Sequence, residues 1–296
     1  MTEKNNYAIG VDIGGSHVTV AAVDLIQKEV NYGSRTRMRV NAGGTADDIL
    51  RLWGEAIRYV LHFACCKQAT GIGIAMPGPF DYEKGISHIR GLHKYESLFG
   101  LNIREKLSGQ ISRPPESIVF ENDAACFLSG EVINGAARGC RSAVGITLGT
   151  GLGSAYFHDG QAREATLYKM PFRDSIAEDY LSTRWFVKRY RELSGREVKD
   201  VKELVQQLRV DRTVQIVFEE FGHTLSLCLL PWLQEHNPEV LVVGGNIANA
   251  WELFSDPLIR GLSDSRLHTR VVKSTLGENA ILLGAAGLTE GNAAVV

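Results

Sequence analysis

The 296-residue sequence lacks the features that mark several classes of protein. No apolar run approaches the roughly 18 residues that a membrane helix needs, and the first residues contain no apolar signal segment. Lysine and arginine total 32 against 34 aspartates and glutamates, so the net charge of −2 predicts no basic surface for nucleic acid or acidic lipid. We therefore expect a cytoplasmic protein without nucleic-acid or membrane partners.

Cysteine is scarce and follows no pairing pattern. The five cysteines are Cys65, Cys66, Cys126, Cys140 and Cys228, an odd number without a Cys-x-x-Cys pair. This pattern argues against a disulfide framework and against a structural zinc cluster. We expect reduced cysteines that fill space, and no structural zinc.

Strand and helix patterns alternate along the chain. Segments rich in Val, Ile, Thr or Tyr predict strands at 7–13, 18–24, 30–39, 71–76, 117–120, 141–157 (interrupted at 148–153), 239–243 and 269–274. Apolar spacing of three and four residues predicts helices over 45–66, 124–133, most of 176–235 with breaks near 195 and 209, and from 279 onward. The alternation is typical of an α/β fold.

One strand-and-turn segment occurs twice. Ala8–Gly14 reads AIGVDIG, and Ala143–Gly149 reads AVGITLG, with Asp12 replaced by Thr147 as the sole polar change. In each copy a buried strand enters a glycine-rich turn and a second strand leaves it. The repeat predicts two related domains, each with such a turn at the end of its first strand.

The two glycine turns suit phosphate binding. Glycine reaches positive φ at low cost, so consecutive glycines can direct several N–H groups at one anion. Each turn alone is also explained by a tight hairpin, but the pair favours a triphosphate, with Asp12 holding Mg²⁺ through water. A Rossmann turn is disfavoured because a strand pattern follows Gly149–Gly153, and no P-loop motif occurs. The predicted phosphate ligands are Gly14, Gly15, Ser16, Thr147, Gly149, Thr150 and Gly151.

Asp123 lies between a buried strand and a helix. One interpretation is a helix N-cap. The other is a general base that accepts the proton of a substrate hydroxyl, with Asn122 orienting the same hydroxyl. Both can hold, because the helix dipole would keep the carboxylate ionised.

Gly244, Gly245 and Asn246 follow a buried strand. Small residues there would let a flat adenine approach the backbone. Ordinary strand-to-helix turn chemistry is the alternative explanation.

Five segments in order resemble the motifs of the ROK (repressor, open reading frame, kinase) family of sugar kinases. They are Ile9–Ser16, Ile74–Pro79, Glu121–Ala124, Leu148–Gly153 and Val243–Asn246. The resemblance implies a two-domain, actin-like ATPase fold (ribonuclease H-like) with a central cleft, ATP and Mg²⁺ as cofactors, and a hexose hydroxyl as acceptor.

The resemblance also assigns residues and domains. Asp123 becomes the catalytic base, Gly78 joins the substrate-binding residues, and Gly244, Gly245 and Asn246 lie by the adenosine. We expect domains at 1–115, completed by a helix over 280–296, and at 116–279, with a homodimer as the family expectation. Six residues precede Tyr7, too few for the helix-turn-helix of family repressors, so we do not expect that branch.

The sugar-binding motifs depart from the family pattern. Thr166 and Lys169 stand where a glutamate and a histidine are expected, and Gly91 stands where an asparagine is expected. The cysteine-rich zinc loop is missing, whereas Glu178 resembles the later family glutamate. We hypothesise that Lys169, with Glu178, lines a rebuilt site for a non-glucose sugar; a solvated surface lysine is the alternative.

An ATP-dependent sugar kinase is the leading function. The altered sugar motif leaves open a non-catalytic sugar or nucleotide sensor on the same fold. A third option is a phosphotransferase for a non-sugar substrate, because actin-like folds carry several activities.

Overall fold

A computed structural model describes residues 6–63, 66, 69–92, 94–263 and 267–290. By its contacts the chain divides into two compact units: unit 1 comprises Met1–Arg138 and Glu278–Val296, and unit 2 comprises Gly139–Gly277. This division differs from the sequence-based boundary after residue 115. Residues 116–138 group with unit 1 because their strand pairs within its sheet and their helix packs on the C-terminal helix.

The strands of the described residues are β1 (Tyr7–Ile13), β2 (His17–Asp24), β3 (Glu29–Val30), β4 (Thr36–Arg39), β5 (Ile72–Met76), β6 (Phe80–Asp81), β7 (Ile86–Ser87), β8 (Ile118–Asn122), β9 (Ser142–Leu148), β10 (Leu152–His158), β11 (Gln161–Glu164), β12 (Pro171–Phe172), β13 (Ser175–Ile176), β14 (Val240–Gly244) and β15 (Arg270–Lys273). The α-helices are α1 (Ala46–Leu61), α2 (Ile103–Ile111), α3 (Asp123–Asn134), α4 (Ala177–Tyr180), α5 (Thr183–Ser194), α6 (Val201–Gln206), α7 (Thr213–His236), α8 (Trp251–Ser263) and α9 (Asn279–Gly287). Among these helices, none has both the length and the apolarity to cross a bilayer.

The sheet of unit 1 has the strand order β3-β2-β1-β5-β8, with β4 also paired to β2. Strand β1 is antiparallel to β2 and parallel to β5. Side chains alternate between the two faces, so Ile9 and Val11 join a core with Trp53 of α1 on one face. The other face receives α9, which approaches so closely that a Cβ on Gly10 would lie 2.2 Å from the Leu282 carbonyl oxygen.

The sheet of unit 2 has the order β11-β10-β9-β14-β15. Strand β9 is antiparallel to β10 and parallel to β14. Side chains from this sheet and from α4 to α8 form one apolar core. At its centre the Phe186 ring lies 4.9 Å from Phe218 and 4.5 Å from Phe221, between ring centroids.

The predicted sequence repeat has a structural counterpart. Strands β1 and β9 share the same succession of buried and half-buried positions, and each pairs with an antiparallel hairpin partner on one side and a parallel strand on the other. Asp12 and Thr147 occupy the same half-buried position of their strands. The two sheets are therefore built on one topology.

The strand predicted over 30–39 is interrupted. A 3-10 turn at Tyr32–Ser34 separates β3 from β4. The Ser34 hydroxyl closes this turn, because it donates to the Asn31 carbonyl at 2.7 Å and accepts from the Ala22 N–H at 2.9 Å. At this point a side-chain hydrogen bond from the Ala22 N–H to Ser34 thus replaces the backbone pairing between strands that the β-rich composition predicts.

Candidate functional site

In unit 1, polar side chains form a row across the sheet at the level of Asp12. The strand register places Asp12 opposite Thr19 on β2, and Thr19 opposite Arg37 on β4. Directly opposite residues project from the same face, so the three side chains share one face. It is the face that α9 covers, since Gly10 lies two residues before Asp12.

Glu278, at the start of α9, binds two arginines beside this row. Arg35 Nη2 donates to Glu278 Oε2 at 2.6 Å, and Arg37 Nη1 donates to both carboxylate oxygens at 3.1 Å. Burial raises the pKa of Asp12 to about 7, the negative charges of Asp123 and Glu278 add to the rise, and Arg37 and Arg35 oppose it. Near neutral pH, Asp12 is therefore divided between its protonated and ionised forms.

Asp123 is the first residue of α3, and the N-cap is Asn122. The Asn122 side-chain oxygen accepts from the N–H groups of Ala124 at 2.9 Å and Ala125 at 3.2 Å. The interpretation of Asp123 as the N-cap is thus wrong by one residue. Asn122 is the N-cap, because its side-chain oxygen accepts from two N–H groups of the first helical turn. Asp123 Oδ1 accepts from the Ala124 N–H at 2.9 Å.

The pKa of Asp123 is raised rather than lowered. Burial raises it, and the Ala124 N–H and the Lys94 charge lower it by less. The sequence analysis counted the helix terminus and not the desolvation, which outweighs it. A carboxylate with a raised pKa is a stronger proton acceptor than an exposed aspartate.

Gly78 and Asn122 meet at the Tyr82 hydroxyl. Asn122 Nδ2 donates to this hydroxyl at 3.4 Å, and a Cβ on Gly78 would lie 3.4 Å from the same oxygen. The Tyr82 hydroxyl itself donates to the Met76 carbonyl at 3.1 Å. Gly78, Asn122 and Asp123, all predicted to bind substrate, therefore occupy one corner of unit 1.

The turn after β1 is closed by the Gly14 N–H, which donates to the His17 carbonyl at 2.9 Å. The buried Tyr95 hydroxyl donates to the Gly14 carbonyl at 2.5 Å. Among the residues the structure describes, the N–H groups of Gly15 and Ser16 have no acceptor. Both residues are exposed, so these N–H groups are available to a ligand.

The turn after β9 is held by α4 and α5. Thr183 donates to the Gly149 carbonyl through its N–H at 2.8 Å and its hydroxyl at 2.9 Å. The Gly149 N–H donates to the Gly151 carbonyl at 3.0 Å. Within the described ranges the N–H groups of Thr150 and Gly151 lack an acceptor, and these positions are equivalent to Gly15 and Ser16.

The conformation of these turns corrects the sequence analysis. The φ angles of Gly14, Gly15, Gly149 and Gly151 lie outside the left-handed region, so glycine is not present there to supply positive φ. The missing side chain matters instead at Gly151, where a Cβ would lie 2.6 Å from Glu178 Oε2.

Glu178 is engaged at this turn. Its Oε2 accepts from the Leu152 N–H at 3.0 Å, and its Oε1 accepts from Arg184 Nη2 at 3.1 Å. Lys169 is exposed, with its ammonium 5.1 Å from the centroid of the Tyr168 ring. In the described part of the chain no hydrogen bond or ion pair joins Lys169 to Glu178, so the structure does not bring this predicted pair together.

Gly244, Gly245 and Asn246 lie beside the same turn. Gly244 pairs with Thr147 across the sheet. Gly245 adopts φ 85° and ψ 177°, a region reserved for glycine, and a Cβ there would lie 2.4 Å from the Leu148 carbonyl oxygen. Two predicted nucleotide-binding segments of unit 2 are therefore in contact.

Four side chains near the unit 1 site escaped the sequence analysis: Arg35, Arg37, Tyr95 and Glu278. The alternation of Arg35, Arg37 and Arg39 is a signal for a basic strand face that could have found two of them. Tyr95 and Glu278 reach the site through contacts between distant segments, for which the local pattern has no signal.

No group of three or more His, Cys, Asp or Glu side chains within the described residues could hold a metal ion. Cys126, Cys140 and Cys228 are free thiols, Cys66 is buried, and Cys65 lies outside the described residues. Asp12, with Thr19 beside it, therefore cannot enclose a cation in a full set of protein ligands, which suits a cation that keeps most of its water.

Known proteins resemble the chain over nearly its whole length. The glucokinase of Thermotoga maritima is 26% identical, with 95% of this chain and 96% of that protein aligned. The N-acetyl-D-glucosamine kinase of Aliivibrio fischeri is 23% identical, with 94% and 98% aligned.

Solved structures share the fold. The ROK family glucokinase of Streptomyces griseus, in complex with glucose and AMPPNP, superposes with a TM-score of 0.79 at 22% identity, covering 96% of this chain and 99% of that one. This confirms the predicted α/β, actin-like fold class.

The model of the ROK family matches residues 8–165, a segment that contains β1 to β11 and α1 to α3. The match spans more than half of the chain, and four of the five motifs on which the sequence resemblance rests begin within it. This protein belongs to the ROK family.

Proposed function

We propose that this chain is an ATP-dependent carbohydrate kinase that transfers the γ-phosphoryl group of ATP to a hydroxyl of a hexose or a related sugar. The observation that carries the proposal is geometric: β1, β5 and β8 are parallel neighbours, so Asp12 near the end of β1 and Asp123 directly after β8 lie at the same edge of the sheet, beside the first glycine turn. Asp123, the proposed base, and Asp12, the acid beside the proposed phosphate-binding turn, are therefore close enough to interact. The names of the glucokinase and N-acetylglucosamine kinase relatives support a sugar as acceptor.

The nucleotide-binding residues follow from the free N–H groups. Four N–H groups have no acceptor among the described residues: those of the exposed Gly15, Ser16 and Thr150 and that of the half-buried Gly151. Backbone N–H groups of this kind bind phosphate oxygens. Gly14, Thr147 and Gly149 shape the two turns. The exposed Gly245 and Asn246, which follow the buried Gly244, leave backbone accessible to the adenosine.

Asp12 is the proposed Mg²⁺ residue. A half-buried carboxylate with a pKa of about 7 gains from a cation, which would stabilise its ionised form. When bound, Mg²⁺ would neutralise negative charge on the phosphate oxygens. Asp12 holds the ion through water, because the described residues include no group of three or more His, Cys, Asp or Glu side chains that could enclose it.

Asp123 is the proposed general base. The acceptor hydroxyl transfers its proton to the Asp123 carboxylate as its oxygen attacks phosphorus. The Asn122 amide oxygen is committed to the N-terminus of α3, so its NH₂ group alone can orient the hydroxyl. Gly78, Lys169 and Glu178 complete the proposed sugar-binding residues.

The test is Asp123→Asn, with Asp47→Asn as the matched control. Asp47 is an exposed first-turn aspartate of α1 in the same unit. We expect ADP production with a responsive sugar to fall at least about 10³-fold in Asp123→Asn, with nucleotide binding retained, because the proton acceptor is lost. Asp47→Asn should keep wild-type turnover.

A panel of hexoses, amino sugars and sugar alcohols, with a no-sugar control, identifies the acceptor. Wild-type protein that binds nucleotide but produces no ADP with any sugar would favour the sensor. In the same panel, unchanged relative rates for Lys169→Ala would remove Lys169 from the specificity of the site.

A further inference from the structure

Tyr95 contacts the first glycine turn from a distant part of the chain. The residue is fully buried, and its hydroxyl donates to the carbonyl of Gly14, 81 residues earlier, at 2.5 Å. Burial raises the pKa of this hydroxyl above its ordinary value, and the negative charge of Asp12 raises it further. The hydroxyl therefore stays protonated at neutral pH and always donates to the turn.

The ring and the backbone of Tyr95 are both held in place. The ring packs edge-on against Trp53 of α1, with the ring centroids 5.2 Å apart. The Tyr95 N–H donates to the Ala42 carbonyl at 2.7 Å, and the Tyr95 carbonyl accepts from the Leu98 N–H at 3.0 Å. The position of the hydroxyl is therefore fixed by unit 1 and does not depend on the glycine turn.

The bond to Gly14 also orients the N–H of the next residue. The Gly14 carbonyl and the Gly15 N–H belong to one peptide group, which is planar and trans. Fixing the carbonyl on Tyr95 therefore directs the Gly15 N–H away from Tyr95. This N–H is one of the two in the first turn that are proposed to bind phosphate.

The second turn has the same arrangement. Thr183 donates to the Gly149 carbonyl through its N–H at 2.8 Å and its hydroxyl at 2.9 Å. The peptide group of that carbonyl carries the Thr150 N–H, which has no acceptor within the described ranges. In both turns, then, a hydroxyl from another segment holds the peptide whose N–H is left for a ligand.

Lys94 links Tyr95 to the proposed acceptor side of unit 1. It directly precedes Tyr95, is half-buried, and forms no hydrogen bond or ion pair with the residues that the structure describes. Its charge lies close enough to Asp123 to lower the pKa of that carboxyl. A sugar hydroxyl bound at Asp123 would therefore lie near the Lys94 ammonium, a group that only donates hydrogen bonds.

We propose that Tyr95 is a positioning residue that couples sugar binding to nucleotide binding. The inference rests on the proposed kinase function and adds a connection between its two ligands. Lys94 binds the acceptor sugar, which restricts the Lys94–Tyr95 segment, and the Tyr95 hydroxyl holds the Gly15 N–H toward a phosphate oxygen. Sugar therefore raises the affinity for nucleotide, and nucleotide raises the affinity for sugar by the same factor.

The test is calorimetric titration of the full chain with AMPPNP and Mg²⁺, without sugar and with a saturating sugar that supports ADP production. In the wild type, the sugar should lower the Kd for AMPPNP at least about fivefold. Tyr95→Phe keeps the ring against Trp53 and loses the hydrogen bond. It should raise the Kd without sugar about three- to tenfold and reduce the effect of the sugar to less than about twofold.

Ser97→Ala is the matched control. Ser97 lies in the 3-10 turn that follows Tyr95, and its hydroxyl donates to the Gly44 carbonyl at 2.9 Å. The variant thus also loses a hydroxyl-to-carbonyl hydrogen bond, but not one to a glycine turn, and it should keep both wild-type values. Lys94→Met should raise the Kd for sugar at least about threefold, because a charged donor is lost. It tests the link even if Tyr95→Phe is too unstable to titrate.

Several results would overturn the proposal. Wild-type Kd values with a wild-type sugar effect in Tyr95→Phe would do so, as would equal losses in Ser97→Ala or an unchanged sugar Kd in Lys94→Met. A wild type that phosphorylates a sugar but binds AMPPNP equally well with and without it would contradict the coupling alone. A wild type that produces no ADP with any sugar would contradict the proposed function, and this inference with it.

Discussion

The two glycine turns follow equivalent strands, but they differ in length and in the chemistry around them: Ile13 pairs with Val18 across the first turn, and Leu148 pairs with Leu152 across the second. Both follow strands with the same burial pattern, and both leave two N–H groups free at equivalent positions. The residue before the first turn is Asp12, whose pKa is raised to about 7 by burial and by neighbouring acids. The residue before the second turn is the neutral Thr147.

The supports of the turns differ as well. In unit 1 a neutral hydroxyl, that of Tyr95, binds the Gly14 carbonyl. In unit 2 the carboxylate of Glu178 binds the end of the turn and is itself paired with Arg184. The repeat thus preserves the burial pattern and pairing of the strand but not the electrostatics around the turn, and the acid with a pKa of about 7 lies in unit 1.

If Asp12 and Thr147 were equivalent in function, replacing either one would lower activity by the same factor. We expect Asp12→Asn to lower kcat by roughly 10²- to 10³-fold, since the carboxylate proposed to hold Mg²⁺ is lost. Thr147→Val, which keeps the branched shape, should lower kcat by about tenfold at most. Steady-state kinetics with saturating sugar measure both, and losses of equal size would contradict the asymmetry.

The second glycine turn, which Gly245 contacts through Leu148, should be less tolerant of added atoms beside it than the first turn. Gly245→Ala places a Cβ 2.4 Å from a backbone oxygen at a left-handed φ, so we expect it to reduce the free energy of unfolding by at least about 3 kcal/mol. Gly15→Ala in unit 1 meets open space and should cost less than about 1 kcal/mol. Urea unfolding of both variants decides this, and similar midpoints would show that the Gly245 contact relaxes.

Asp12 should also make the free energy of unfolding depend on pH, whereas Thr147 has no ionisable group and cannot do so. Its folded pKa of about 7 lies above the ordinary value of 3.8, so the folded state holds a proton that the unfolded state releases between these values. Stability from this group is therefore present at low pH and lost as pH rises toward 7.

Without Mg²⁺, Asp12→Asn should gain stability relative to the wild type by about 2 to 3 kcal/mol between pH 5 and pH 8. Urea unfolding at the two pH values measures the gain. Parallel pH profiles for the two proteins would show that Asp12 ionises as an ordinary aspartate.

The element pattern and the motif positions could be predicted because their signals are local. The hydrophobic periodicity of α1, the burial of β1 and β9, and the Asn122-Asp123 junction of strand and helix are each written within a few residues. The break between β3 and β4 was not predictable from composition, because one serine side chain closes that turn.

The electrostatics of the site required the tertiary structure. Arg35 and Arg37 meet Glu278 from the far end of the chain, and together these charges act on Asp12. The N-cap role that the sequence analysis offered to Asp123 belongs to Asn122, because the N-cap depends on which side chain reaches the free N–H groups.

The sequence alone determined the repeated strand-turn unit, the order of the motifs and the membership of a family, since these depend on residue types at short spacing. The tertiary structure decided which acids are buried together, which N–H groups stay free, and that Glu178 supports the second turn. A pKa and a free hydrogen-bonding group depend on burial and on neighbours brought from distant parts of the chain, and no short stretch of residues contains that information.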